Sequence, residues 1–152
     1  MFDKLNYIRL SDKEYPIKCD MLVLERIQDE FGSLSDFENK LNGFVPAKDE
    51  SGNYKRTEEG LLLGVYEMPD LKAVNQTLFL MVEEGLSIEA EEKDEPRRSL
   101  TKEQLLREVD LNPMELGKKL HEEFLRCFVR KNGKSTQRKT AVRKTEQKSL
   151  EK

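Results

Sequence analysis

The chain lacks tryptophan, and it holds one histidine and two cysteines among its 152 residues. Each scarcity narrows what the protein can do. A single His121 leaves little for imidazole acid–base chemistry, because a catalytic histidine needs a nucleophile or carboxylate fixed beside it and no sequence signature marks one. At the edge of a helical apolar stripe, it reads most simply as a structural or surface residue. Cys19 and Cys127 with His121 make three soft ligands without the close pairing of a zinc site. Cys127 reads as a small core residue and Cys19 lies at a junction between elements. A disulfide between them stays open on sequence, although the absence of an export signal favours a reduced pair. The longest apolar run, Leu78 to Val82, is far short of the roughly 18 residues that span a bilayer. The N-terminus shows no basic region followed by an apolar stretch, so no signal peptide is expected. The Asn75-Gln76-Thr77 sequon is then accidental. No cofactor, metal or membrane partner is expected.

Charge, in contrast, is abundant: 38% of residues are charged against 36% hydrophobic. The net charge of −3 hides a division. Residues 131–152 carry eight basic and two acidic side chains, or +6, and the preceding 130 residues carry 19 basic and 28 acidic, or −9. This division predicts a body over residues 1–130 and a basic tail over 131–152, poor in large apolar groups and expected to be disordered on its own. Lys131, Lys134, Arg138, Lys139, Arg143, Lys144 and Lys148 are the candidate partner-binding residues. They could meet nucleic acid, an acidic protein surface or another copy's acidic body. The tail has no aromatic residue to stack on bases and no basic fold beside it, which argues against nucleic acid. Gly133-Lys134-Ser135 has the ending of a phosphate-binding loop, but Phe128 stands where its first glycine would be.

Within the body the pattern predicts an N-terminal β-hairpin. Tyr7, Ile8 and Leu10 are separated by Ser11-Asp12-Lys13-Glu14 from Tyr15, Ile17 and Cys19. Pro16, unable to donate to a ladder, is expected on an outward-facing edge. Asp20 caps a helix from Met21 that Gly32 ends. Ser35 with Glu38 suggests a capping box opening a second helix, ended by Gly43. Residues 44–70 are the least readable. Asp49 to Asn53 is turn-rich, and Leu61 to Tyr66 leans towards extended chain, with a short helix as the alternative. Asp70 caps the most apolar helix, whose stripe is Leu71, Val74, Leu78, Met81 and Val82, with Gly85 as its stop. An acidic loop from Glu89 to Arg98 follows. It lacks the spacing and central glycine of a calcium-binding loop. Thr101 with Gln104 forms a capping box, and Asn112 with Pro113 opens a last helix with the stripe Leu116, Leu120, Phe124 and Phe128, ended by Asn132-Gly133. The expected fold class is α+β: a mostly α-helical single domain with an N-terminal β-hairpin and a basic C-terminal tail.

The order of these pieces resembles a family. Tyr7-Ile8-Arg9-Leu10-Ser11-Asp12-Lys13-Glu14-Tyr15-Pro16-Ile17, then Asp20-Met21 and Leu24-Glu25-Arg26-Ile27-Gln28-Asp29-Glu30-Phe31-Gly32, is similar to the opening of tail assembly chaperones of phages and prophages of Gram-positive bacteria. Met68-Pro69-Asp70-Leu71-Lys72-Ala73-Val74-Asn75 with Met81-Val82-Glu83-Glu84-Gly85 resembles the family's central helix. Leu100-Thr101-Lys102-Glu103-Gln104-Leu105 resembles the next one. The likeness covers about residues 5–130 and rests on the ordered combination, not on one diagnostic motif. It implies a non-enzymatic, protein-binding role in the host bacterial cytoplasm, outside the mature virion. The implied partners are the tape-measure protein, whose apolar helices are kept soluble, and the tail-tube protein, with self-association. It carries over no catalytic, metal or cofactor residues. The readings set against it are a nucleic-acid-binding regulator using the basic tail, an unassigned helical adaptor, and an enzyme built on carboxylates around His121.

Overall fold

The structure is a computed structural model, and it describes residues 4–129. The chain is an α+β single domain, about half helix, with the N-terminal hairpin in place. Strands β1 (Asn6–Leu10) and β2 (Lys13–Ile17) pair antiparallel, with Ile8 opposite Tyr15 and Leu10 opposite Lys13. Ser11 takes a positive φ in the tight turn between them. The inner face of this hairpin, Ile8, Leu10, Tyr15 and Ile17, is buried in the core.

Among the described residues five helices follow, each opened by the side-chain acceptor its first turn needs. Helix α1 (Met21–Phe31) is capped by Asp20, which accepts from the Val23 amide at 3.1 Å, and it ends at Gly32. Helix α2 (Leu34–Asn42) ends at Gly43 in the left-handed conformation. Its cap is Ser33, not the expected Ser35. The Gly32 turn delivers the chain two residues earlier, and Ser33 accepts from Asp36 N at 3.1 Å, which places an acid in the positive first turn. Helix α3 (Leu71–Lys93) is capped by Asp70, and α4 (Lys102–Arg107) carries the full Thr101–Gln104 capping box. Helix α5 (Pro113–Arg126) opens on Asn112 with Pro113 in the first turn.

Four further expectations are corrected by the structure. Gly85 does not end α3, which runs 23 residues to Lys93 and closes on Asp94 with φ +54°. The glycine is needed for close approach. A Cβ at position 85 would sit 2.4 Å from the Pro16 carbonyl oxygen and 2.9 Å from Ile17 N, so only glycine lets β2 lie against this helix. The same contact corrects Pro16, which is buried beneath α3 instead of facing outward; Lys18 N donates to Met81 O at 3.0 Å beside it. Much of the expected acidic loop is thereby helical. Glu89 accepts from the Tyr7 hydroxyl at 2.8 Å and pairs with Arg98 and Lys93. Burial works against its charge, but these partners outweigh it and hold its carboxyl below the usual value.

The last of these concerns α5, which stops at Arg126. Cys127 caps it, and Phe128 lies past the helix, exposed but edge-on to Phe124 at 5.3 Å. The expected stop at Asn132-Gly133 lies outside the described residues. The core is centred on α3, where Val74, Leu78, Met81 and Val82 are fully buried against α1, α2, α5 and the hairpin. Phe37 of α2 joins Phe31 and Phe124 at ring separations of 5.7 and 5.4 Å, fastening α1, α2 and α5.

Candidate functional site

The stretch the sequence left most open becomes an extended arm between α2 and α3. Strand β3 (Phe44–Pro46) pairs antiparallel with β4 (Gly64–Tyr66), Val45 opposite Val65. Beyond them the chain folds back twice. Ala47 N donates to Leu63 O, Lys55 N to Ala47 O, and Leu63 N to Lys55 O, so residues 53–57 lie between the two flanking segments. Each turn has a local cause. Asp49 Oδ1 accepts from Ser51 N and Asn53 N around Gly52, and Thr57 Oγ1 accepts from Leu61 N beside Gly60. Both glycines take a positive φ, +87° and +91°, which a bulkier residue there would resist. Leu61–Tyr66 is thus extended chain, as its composition suggested.

The root of the arm is tightly fixed. Glu67 N donates to Gly43 O and Asp70 N to Lys40 O. The Phe44 ring crosses Gly64 and meets Tyr66 at 5.1 Å; a Cβ on Gly64 would fall 2.3 Å from Val45 O. Outside this root the arm gains little burial from the body. Leu61, Leu63 and Val65 alternate along one strand segment and so share one face, and Val45 stands directly across from Val65 on that face. Their exposures are 67%, 44%, 62% and 43%. Tyr66 at 74% lies on the opposite face. Met68 and Leu71 are exposed just beyond the root. Met114, also exposed, lies one turn before Gly117, which packs against Pro69. A contiguous apolar face of this kind, held on a shaped backbone and left open by the described residues, is the kind of surface that marks a docking site for a protein, a membrane or a ligand.

A second feature is an open groove of about 900 Å³ between the start of β1, the β2–α1 junction, α3 and the end of α5. Met21 and Leu22 stand exposed on one wall and Val129 on the other. Beneath it Glu123 is buried to 2% exposure and fully engaged: it accepts from Asn6 Nδ2 at 3.1 Å, Cys19 N at 3.2 Å and Arg126 Nη1 at 2.6 Å. Glu84, on the groove's α3 side, shares a hydrogen bond with the Asp20 carboxyl. That contact, partial burial and the Asp20 charge push its pKa up to about 7.

His121 lies away from both features. Its Nε2 meets Glu38 Oε2 at 2.7 Å between α5 and α2, and its ring stacks on Phe124. Among the described residues no helix is long and apolar enough to cross a membrane, and no three metal-ligating side chains converge. The basic candidates Lys131, Lys134, Arg138, Lys139, Arg143, Lys144 and Lys148 lie outside the described residues. Sequence reasoning missed the arm's apolar face. Its signal was the alternation of Leu61, Leu63 and Val65, with nothing to say that the core would not claim them. The chain matches no family model, no curated protein and no solved structure.

Proposed function

We propose that the chain is a non-enzymatic tail assembly chaperone of phage or prophage origin, which covers apolar helices of a tape-measure protein in the host cytoplasm before the tail assembles. The observation that carries this reading is the arm's exposed face of Val45, Leu61, Leu63 and Val65. Such a face offers apolar area to an amphipathic helix while the fixed root limits the entropy lost on binding. The family resemblance supplies the identity of the partner. It also implies that a C-terminal extension of such proteins contacts tail-tube subunits, and the charge of the segment from Lys131 onward, opposite to that of the body, suits contact with another copy.

The test is co-expression with a tape-measure protein from the same genome, followed by size-exclusion chromatography. The reading expects a soluble complex, and a tape-measure protein that is insoluble when made alone. Identical behaviour of the two proteins separately and together would remove it.

A further inference from the structure

Cys19 and Cys127 are 108 positions apart in sequence, yet the fold places them side by side: the Cys127 thiol donates to the Cys19 carbonyl oxygen at 3.1 Å. Each thiol influences the ionisation of the other. Neither is in a disulfide. Their surroundings differ. Both line the open groove, but Cys19 follows β2 and is buried in the core, whereas Cys127 caps α5 and is half-buried.

We infer that Cys19 and Cys127 form a latent disulfide site, which a peroxide entering by the groove converts into a covalent staple between the β2–α1 junction and the end of α5. The chemistry balances in two steps. The Cys127 sulfur attacks one peroxide oxygen, giving a sulfenic acid and releasing water. The Cys19 sulfur then displaces the hydroxyl from the Cys127 sulfur, forming the S–S bond and releasing a second water. Hydrogen peroxide is the oxidant and is reduced to two waters; the two thiols are oxidised. The Cys127 sulfur already contacts the Cys19 backbone, so what remains is a local adjustment that brings the two sulfurs to the ~2.05 Å of a disulfide.

Burial raises the ionisation point of both thiols, so few are thiolate at neutral pH. Cross-linking is therefore slow at pH 7 and accelerates with pH, by about tenfold per unit while the thiolate is the minor form. Once formed, the staple closes a loop through most of the domain and constrains the unfolded chain far more than the folded one.

The inference does not depend on the chaperone reading, and its test uses the folded full-length chain. The protein is exposed to hydrogen peroxide at pH 7, 8 and 9, remaining thiols are alkylated, and intact mass and peptide maps are read. The expected product is monomeric, lacks two hydrogens, carries a Cys19–Cys127 linked peptide, and reverts with dithiothreitol. Its thermal midpoint rises by roughly 10 °C or more. Three results would overturn the inference: sulfinic acid at Cys127 with Cys19 still free, disulfide-linked dimers, or unmodified thiols at pH 9. Cys127→Ser serves as the control. It leaves Cys19 unoxidised, because the more exposed sulfur, where the peroxide reacts first, is gone.

Discussion

Removing the Glu123 carboxylate tests how the hairpin is tied to the helices. This side chain is the one acid buried in the described core, and its oxygens hold three donors from separate parts of the chain: Asn6 at the start of β1, Cys19 N before α1, and Arg126 at the end of α5. A hydrogen bond to a charged group contributes about 1.5–3 kcal/mol. The Arg126 side chain is half exposed, so its pairing with Glu123 is screened and contributes the least despite its 2.6 Å separation. The Asn6 and Cys19 donors dominate, and losing both while stranding the Cys19 amide costs about 3–5 kcal/mol in Glu123→Ala. Glu123→Gln keeps an acceptor for one donor at nearly the same volume and should cost about 2 kcal/mol. Urea unfolding followed by circular dichroism measures both, with unchanged denaturant slopes as the check on two-state behaviour. A Glu123→Ala loss under about 1 kcal/mol, or equal losses for Ala and Gln, would mean that this carboxylate does not tie the hairpin to the helices.

Two further substitutions address the fold and its pH response. Gly85→Ala should destabilise by about 1–3 kcal/mol in the same assay, although alanine is the better helix former, because its Cβ meets the Pro16 backbone; a gain in stability would show that β2 can move aside. Glu84 has a folded pKa of about 7, above its ordinary 4.5, so the native state holds its proton where the unfolded state has lost it. Stability from this group therefore falls as pH rises between about 4.5 and 7. Glu84→Gln should match the wild type at pH 4 and exceed it at pH 8, and equal stabilities at both would contradict the Asp20–Glu84 contact.

The helix starts were legible where a side chain announces a first turn. Asp20, Asp70, Thr101 and Asn112 each cap the helix assigned to them, because capping is a local hydrogen bond that three or four residues decide. The stops were less so. Gly32 and Gly43 end helices by taking a positive φ, whereas Gly85 continues one and is there for the sake of Pro16, 69 positions earlier. Nothing near Gly85 in sequence distinguishes the two uses. The hairpin could be read from its alternation, but the covering of β2 by α3, which buries Pro16, is a tertiary fact. The arm shows the same limit. Its extended character followed from Leu61 to Tyr66, but whether those side chains would be buried or displayed depends on how much apolar surface the rest of the domain already supplies to its core. Likewise Cys19 and Cys127 could be read as junction and core residues, and only the packing of α5 against the β2–α1 junction makes them neighbours.

On the proposed function, the arm's exposed face is where an apolar helix of the partner is held. The direct measurement is the affinity for a tape-measure fragment of the wild type against a Leu61→Lys, Val65→Lys double variant, by calorimetry, with circular dichroism confirming that the body still folds. Both positions are exposed and outside the core, so the variant should unfold at the wild-type midpoint. Two buried aliphatic contacts of about 1.5 kcal/mol each predict affinity weakened by roughly a hundredfold. Binding at wild-type affinity by the folded variant would contradict the account and move the search to the groove beside α5.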